Sequence, residues 1–79
     1  MLEQSKKKEL RNLTEISMLL LKIRQDKKLS RRKASYICEV SENQIYRAET
    51  RANITIVKLT RIVAGYGLTL KQFISQIEE

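Results

Sequence analysis

Apolar residues recur at the spacing of α-helices along this chain, and no other feature of the sequence constrains the fold as strongly. Leu13, Ile16, Leu20 and Ile23 stand three or four positions apart, which places them on one face of a helix that we expect to end near Lys27. The chain contains no proline and only two glycines, a composition that argues against an all-β or loop-rich fold. The sequence therefore predicts an all-α domain.

Helix-capping residues divide the rest of the chain into four further short helices. Ser30 opens a second, amphipathic helix that reaches about Cys38 and whose apolar residues are Ala34, Ile37 and Cys38. The segments SENQ (41–44) and TLKQ (69–72) are capping boxes, and they open a third helix ending near Thr50 and a fifth helix. Thr55 caps the fourth helix and Gly67 ends it. The apolar stripe expected on the fourth helix consists of Ile56, Leu59, Ile62, Val63 and Tyr66, and that on the fifth of Leu70, Phe73, Ile74 and Ile77. We expect the aromatic side chains of Tyr66 and Phe73 to lie in the core. We predict one five-helix domain at residues 13–79, preceded by a charged N-terminal arm or helix extension at residues 1–12.

The positive charge of the chain is concentrated in its first part. The net charge is +7, and residues 1–33 contain eleven Lys and Arg against four Asp and Glu, whereas residues 34–79 contain five of each. This asymmetry points to a polyanionic partner, nucleic acid first and an acidic membrane surface second. The alternative is a solvated basic face that serves solubility.

The residue inventory argues against several classes of protein. A single cysteine cannot form an internal disulfide, and the absence of histidine excludes the usual structural zinc sites, so we expect no metal and no cofactor. The apolar run Ile16 to Ile23 is too short to span a bilayer, and no signal-peptide pattern follows it. We therefore expect a cytoplasmic protein with no membrane segment and with Cys38 as a small buried hydrophobe. No paired carboxylates or glycine-rich phosphate loop suggest an enzyme.

The third helix has one apolar side and one polar side. On a helical wheel Ser41, Ile45 and Ala48 lie together. The residues on the opposite arc, which we expect to contact DNA bases, are Glu42, Asn43, Tyr46 and Arg47. Asn pairs with adenine, Arg pairs with guanine, and an aromatic ring edge contacts a thymine methyl group, so this side is suited to reading the major groove. Glu42 has an alternative role as a first-turn acid that stabilises the helix.

The first turn of the second helix, Arg31-Arg32-Lys33, is cationic where a helix favours acidic residues. Each acidic residue there stabilises an exposed helix by about 0.3 to 1 kcal/mol, so three cations oppose the helix dipole. A DNA phosphate bound at this helix end would compensate them. The residues expected to contact phosphate are Ser30, Arg31, Arg32, Lys33, Ser41, Arg51 and Asn53. The run Lys6 to Lys8 is either a solvated arm or a further contact to the DNA backbone.

The joint spacing of twelve residues is more specific than any one of them: Ile23, Arg24, Leu29, Ser30, Val40, Ser41, Ile45, Arg47, Glu49, Leu59, Ile62 and Leu68. By this spacing, residues 16–74 resemble the Cro/repressor-type (Xre) helix-turn-helix family. The resemblance implies a five-helix fold in which the second and third helices straddle the DNA backbone and the third enters the major groove. It also implies a structural ion pair between Arg24 and Glu49. In the family, the position of Arg31 is usually a Gln close to a phosphate and to the recognition helix.

The sequence departs from the family pattern at four places. Lys28 and Glu39 stand where the family usually has Gly, and Asn53 stands where it has Pro. Ala34 and Ser35 replace a Leu-Ala pair. We expect the turn at Glu39 to persist, although a β-carbon in a left-handed conformation costs about 1 kcal/mol.

The function expected from these features is sequence-specific transcriptional regulation, by a repressor or controller protein. The chain resembles small phage repressors and the controller proteins of restriction-modification systems. The partner would be double-stranded DNA, bound by a homodimer at a pseudo-palindromic operator with half-sites about 34 to 36 Å apart. We expect the dimer interface on the fourth and fifth helices, through Ile74 and Ile77. The alternative is an antitoxin or anti-repressor whose main role is to bind a protein partner, with residues 1–12 available to hold it.

Overall fold

The computed structural model of the protein describes residues 15–51 and 54–78, which form five helices and no strand. The described part of α1 covers residues 15–26, and the other helices are α2 (Arg31–Cys38), α3 (Glu42–Arg51), α4 (Ile56–Gly65) and α5 (Leu70–Glu78). The predicted all-α, five-helix fold is confirmed. Within this described part, no helix is long and apolar enough to cross a membrane. The arm predicted at residues 1–12, with Lys6 to Lys8, lies outside the described residues, as does Leu13.

Both predicted capping boxes are present. The Ser41 hydroxyl accepts a hydrogen bond from the Gln44 backbone N–H at 3.1 Å, and Gln44 Oε1 accepts one from the Ser41 N–H at 3.0 Å. Thr69 and Gln72 exchange the same pair of bonds, at 3.1 and 2.9 Å. The predicted N-caps of α2 and α4 also accept from the N–H three residues on, at 3.1 and 3.2 Å. The helix starts therefore follow the sequence, because each cap satisfies a backbone donor locally.

Three helices end in the same motif, with one residue in a left-handed conformation. These residues are Lys28 (φ 57°), Glu39 (φ 57°) and Gly67 (φ 84°). In each case the next N–H reaches back to a carbonyl five positions earlier: Leu29 to Arg24 at 3.1 Å, Val40 to Ser35 at 3.1 Å, and Leu68 to Val63 at 2.9 Å. This is the Schellman arrangement that closes a helix C-terminus. The turn at Glu39 persists without glycine, as predicted.

The core lies between the helices and is filled by side chains from all five. The largest fully buried side chains are Phe73, Leu20, Ile45, Ile62 and Val63. Helix α2 packs against α3 and α4, and α4 packs against α5. The predictions that Cys38, Tyr66 and Phe73 are buried are confirmed, because their exposed fractions are 2%, 3% and 0%. Close packing around one core thus fixes how α2 and α3 are presented.

Helices α2 and α4 approach closely at Gly65. A β-carbon on Gly65 would lie 2.5 Å from Cys38 Sγ and 2.9 Å from Cys38 Cα, which is closer than real β-carbons pack. The Cys38 thiol also donates a hydrogen bond to the Ile62 carbonyl at 3.4 Å. Glycine is therefore required at position 65 by space, and not by its backbone conformation.

Two apolar residues that the helical spacing assigned to buried faces are exposed instead. Ile37 is 48% exposed and Ile56 is 62% exposed. On α2 the buried residues are Ala34, Ser35 and Cys38, and Ile37 stands about 100° around the helix from Cys38. Ile56 is the first residue of α4, a turn before Leu59, the first buried residue of that helix. These two assignments were wrong, because Ile37 lies outside the arc of α2 that packs in the core and Ile56 precedes the first buried turn of α4.

Candidate nucleic-acid interface

The outer face of α3 presents four polar side chains of different chemistry. Ile45 and Ala48 are each 1% exposed and anchor the helix to the core. The side chains on the opposite side, all exposed, are those of Glu42, Asn43, Tyr46 and Arg47. The structure therefore brings together the four residues predicted to contact bases, as a carboxylate, an amide, a phenol and a guanidinium on one surface.

The connection between α2 and α3 holds this surface in a defined position. Only residues 39–41 separate the two helices, and Glu39 takes a left-handed conformation within them. Ser41 was predicted to contact phosphate, and its exposed hydroxyl oxygen accepts a bond from Gln44. The hydrogen of that hydroxyl remains able to donate to a phosphate oxygen. Capping the helix and contacting a phosphate are thus compatible roles for Ser41.

The first turn of α2 is an exposed cationic helix end. Residues 30–33 are all exposed, and the first turn contains no acidic side chain. The Ser30 hydroxyl oxygen accepts the Lys33 N–H at 3.1 Å, and Arg32 Nε donates to the Tyr36 hydroxyl oxygen on the same helix at 3.4 Å. The positive end of the helix dipole and three cationic side chains therefore face solvent together, an arrangement that favours an anion.

A buried ion pair ties α1 to α3. Arg24 Nε lies 2.6 Å from Glu49 Oε2, and Arg24 Nη2 donates to Glu49 Oε1 at 3.1 Å. The side chains of Arg24 and Glu49 are 10% and 2% exposed, and Arg24 Nη1 also donates to the Leu29 carbonyl at 2.8 Å. The hydrogen bond to Glu49 raises the pKa of Arg24 despite its burial. The ion pair that the family resemblance implied is present, and it braces the start of α2 as well as the end of α3.

Arg31 contacts α3 in two ways, and the residue pattern of α2 alone did not indicate either. Its Nε lies 3.4 Å from Glu49 Oε1, and its guanidinium carbon lies 5.2 Å from the centre of the Tyr46 ring. The Arg31 side chain is 44% exposed, so part of it remains available to a ligand. The signal in the sequence was the spacing of Tyr46 and Glu49, three residues apart and hence on one face of α3. That spacing does not tell which residue of another helix lies opposite.

Four further residues of the predicted sites are not among the side chains that the structure describes on this exposed polar surface. The side chain of Arg51 and the whole of Asn53 lie outside the described residues. Ile74 and Ile77, predicted at the dimer interface, are half-buried and pack against the core of their own domain. The large apolar side chains that are most exposed are instead Met18, Tyr36, Ile37, Ile56 and Val57, together with Tyr46 on the outer face of α3. The exposure of Ile37 and Ile56 was missed because helical spacing shows which residues share a face but not how far neighbouring helices cover it, whereas Tyr46 was expected to face outward.

Comparisons of the chain with protein-family models, with curated proteins and with solved structures return no significant match. Among the residues that the structure describes, no group of three or more His, Cys, Asp or Glu is placed to hold a metal ion. The resemblance to the Cro/repressor-type family stays a prediction. The geometry of α2 and α3 is therefore the basis for assigning a function.

Proposed function

We propose that this protein is a sequence-specific DNA-binding transcriptional regulator that recognises a pseudo-palindromic operator as a homodimer. The observation that carries the proposal is the pair of contacts from Arg31 to Tyr46 and Glu49. They place the cationic start of α2 directly beside the polar outer face of α3. A surface that binds phosphate and a surface that reads bases must be adjacent in this way to engage one groove of a duplex.

The start of α2 supplies the contact to the sugar-phosphate backbone. The cationic side chains of Arg31, Arg32 and Lys33 neutralise phosphate charge, and the helix N-terminus adds its partial positive charge. The Ser30 and Ser41 hydroxyl groups, both exposed at helix starts, donate to phosphate oxygens. These contacts set the register of the protein on the duplex without reading its sequence.

The outer face of α3 supplies the base contacts when the helix lies in the major groove. The Asn43 amide matches the edge of adenine, and the Arg47 guanidinium matches the two acceptors of guanine. The Glu42 carboxylate accepts from the amino group of cytosine, and the Tyr46 ring contacts a thymine methyl group. One monomer reads few base pairs by these means, so a homodimer with two recognition helices about 34 to 36 Å apart is needed for useful specificity.

Selection of bound sequences from a random duplex pool tests the proposal, and a two-fold symmetric consensus is the expected result. On the selected duplex, Asn43→Ala and Arg47→Ala should each weaken binding by about 1 to 3 kcal/mol, with little change on random DNA. Arg61→Ala is the matched control, because Arg61 is an exposed arginine on α4 and should leave base preference unchanged. Binding with equal affinity to all sequences, at low salt as well, would contradict the proposal.

A second candidate function, binding a protein partner as an antitoxin or anti-repressor does, is favoured by one observation. Tyr36 is 69% exposed and Ile37 is 48% exposed, at consecutive positions of α2, and neither belongs to the base-reading face. Exposed apolar side chains of this size favour contact with another protein. A tight stoichiometric protein partner from the native host, no longer bound by the double variant Tyr36→Ser with Ile37→Lys, together with no preferred duplex, would favour this function over DNA recognition.

A further inference from the structure

We infer that Arg31 is a positioning residue for Tyr46, holding the tyrosine ring in place to contact the methyl group of one thymine in each half-site. The inference rests on the proposed function and goes beyond it. It makes the contact between Tyr46 and a thymine methyl group depend on Arg31, and it gives Arg31 a second task besides neutralising a phosphate.

The anchor for Arg31 is a carboxylate that is buried and already paired with another arginine. The Glu49 side chain is 2% exposed, and two nitrogens of Arg24 hold it at 2.6 and 3.1 Å. Arg31 Nε reaches the same carboxylate at 3.4 Å. The position of the Arg31 guanidinium relative to α3 is therefore set by a group that belongs to the core.

From this anchor the guanidinium covers one side of the Tyr46 ring. Its central carbon lies 5.2 Å from the ring centre, within the range of a cation–π contact. The Tyr46 side chain is 44% exposed, and without the contact from Arg31 it would sample several rotamers. Because ordering such a side chain on binding weakens affinity roughly two- to tenfold, a ring that is already held in place binds more tightly. The uncovered part of the ring is an apolar surface, and the base feature that matches it in the major groove is the thymine methyl group.

Arg32 provides a matched control for Arg31. It is the next residue on α2, is exposed, and has the same charge. Its Nε donates to Tyr36 on its own helix, at 3.4 Å, and not to a residue of α3. Replacing either arginine removes one cation from the same helix end, but only the Arg31 replacement takes away the cation that covers Tyr46.

The experiment replaces each thymine of the selected duplex by uracil, which removes only the methyl group. For the wild-type protein, uracil at one position of each half-site should weaken binding about fourfold per half-site, the loss expected for one buried methyl group. Tyr46→Ala should abolish this discrimination, and Tyr46→Phe, which keeps the ring, should retain it.

The decisive comparison is between Arg31→Met and Arg32→Met. Each should lower the slope of log affinity against log salt concentration by about 0.9 for each phosphate that the protein no longer neutralises. Only Arg31→Met should lose the discrimination between thymine and uracil. Thermal melting serves as the folding check, and both variants should remain folded, since Arg24 still pairs with Glu49.

Each other outcome overturns a stated part of the inference. Full uracil discrimination in Arg31→Met would reject the positioning role. A selected duplex with no thymine whose methyl group depends on Tyr46 would reject the base assignment, while leaving the proposed function intact. Failure to select any preferred duplex would overturn the proposed function itself, and this inference with it.

Discussion

Glu39 and Lys28 adopt a backbone conformation that glycine reaches at lower cost. Both have φ 57°, and both close a helix by the motif that Gly67 completes at the end of α4. A β-carbon in this conformation crowds the following carbonyl, whereas glycine has none. The protein therefore folds in spite of local strain at two turns, and one of them is the turn between α2 and α3.

Glu39→Gly should increase the free energy of unfolding by about 0.5 to 1 kcal/mol, because relief of the strain exceeds the added freedom of glycine in the unfolded chain. Urea denaturation measures the change. Glu39→Ala is the control: it removes the same charge but keeps a β-carbon, so it should give no such gain. Equal stabilisation by Gly and Ala would show that charge, and not backbone conformation, limits stability at this turn.

Because the side chains of Cys38 and Tyr66 are buried, the stability of the protein should depend on pH in the alkaline range. Burial raises the pKa of the Cys38 thiol to about 11 and also raises the pKa of Tyr66, whose hydroxyl has no hydrogen-bond partner among the described residues. In the unfolded chain both groups lose their protons at lower pH, so the folded state binds more protons above about pH 9. The contribution of these two protonated groups to the free energy of unfolding is therefore complete below about pH 9 and is lost as the pH rises further.

The free energy of unfolding should therefore fall by about 1 kcal/mol between pH 8 and pH 10, as the Cys38 shift implies. Urea midpoints at intervals of half a pH unit measure the fall. Cys38→Ala should remove most of the dependence up to pH 10, and Tyr66→Phe should remove part of the dependence above pH 10. A midpoint that stays constant from pH 8 to pH 10.5 would be inconsistent with burial of the thiol.

At the scale of helices, residue spacing predicted the helix starts but not the contacts between helices. The one such contact that was expected, the ion pair between Arg24 and Glu49, came from the family resemblance. Ser41 and Gln44 are three residues apart and satisfy each other's backbone donors, so four residues of sequence contain the whole interaction. The contact of Arg31 with Tyr46 joins two helices, and its existence depends on the separation and angle of α2 and α3. Those quantities result from packing of the whole core, and residue spacing does not encode them.

The ion pair between Arg24 and Glu49, which joins α1 to α3, should contribute strongly to the stability of the fold. Arg24→Ala should lower the free energy of unfolding by about 3 kcal/mol, because it leaves the buried Glu49 carboxylate without its main partner. Urea denaturation measures the loss. The double variant Arg24→Met with Glu49→Met should lose less, since no buried charge is then left alone. A loss below about 1 kcal/mol in Arg24→Ala would mean that Arg31 can take over the role of Arg24.

At the scale of the whole molecule, the sequence does not distinguish an apolar stripe that packs in the core from one that would join two copies. The spacing of Ile74 and Ile77 identified an apolar stripe on α5, and the structure shows both residues packed against their own core. Val57, on α4, is 59% exposed. A stripe on a helix can serve the core, a second copy or both, and the sequence pattern is the same in each case.

The proposed homodimer makes a prediction that compares these two surfaces. Ile77→Lys should shift the protein from dimer to monomer in sedimentation equilibrium, because a charge would be buried at the interface. It should weaken binding to the two-fold symmetric duplex at least tenfold and leave affinity for a single half-site unchanged. Val57→Lys is the control and should remain dimeric. Dissociation by Val57→Lys alone would place the interface at the start of α4.

Because Cys38 packs closely against Gly65, the reactivity of its thiol should report how often α2 separates from α4. The thiol is the single one in the chain, and it is 2% exposed beneath α4, so an alkylating reagent can reach it only in molecules where α2 and α4 have separated. The rate of alkylation under native conditions then measures how often that separation occurs. Any ligand that binds only the closed arrangement should slow this reaction, so that binding of the proposed DNA partner could be followed through a buried thiol.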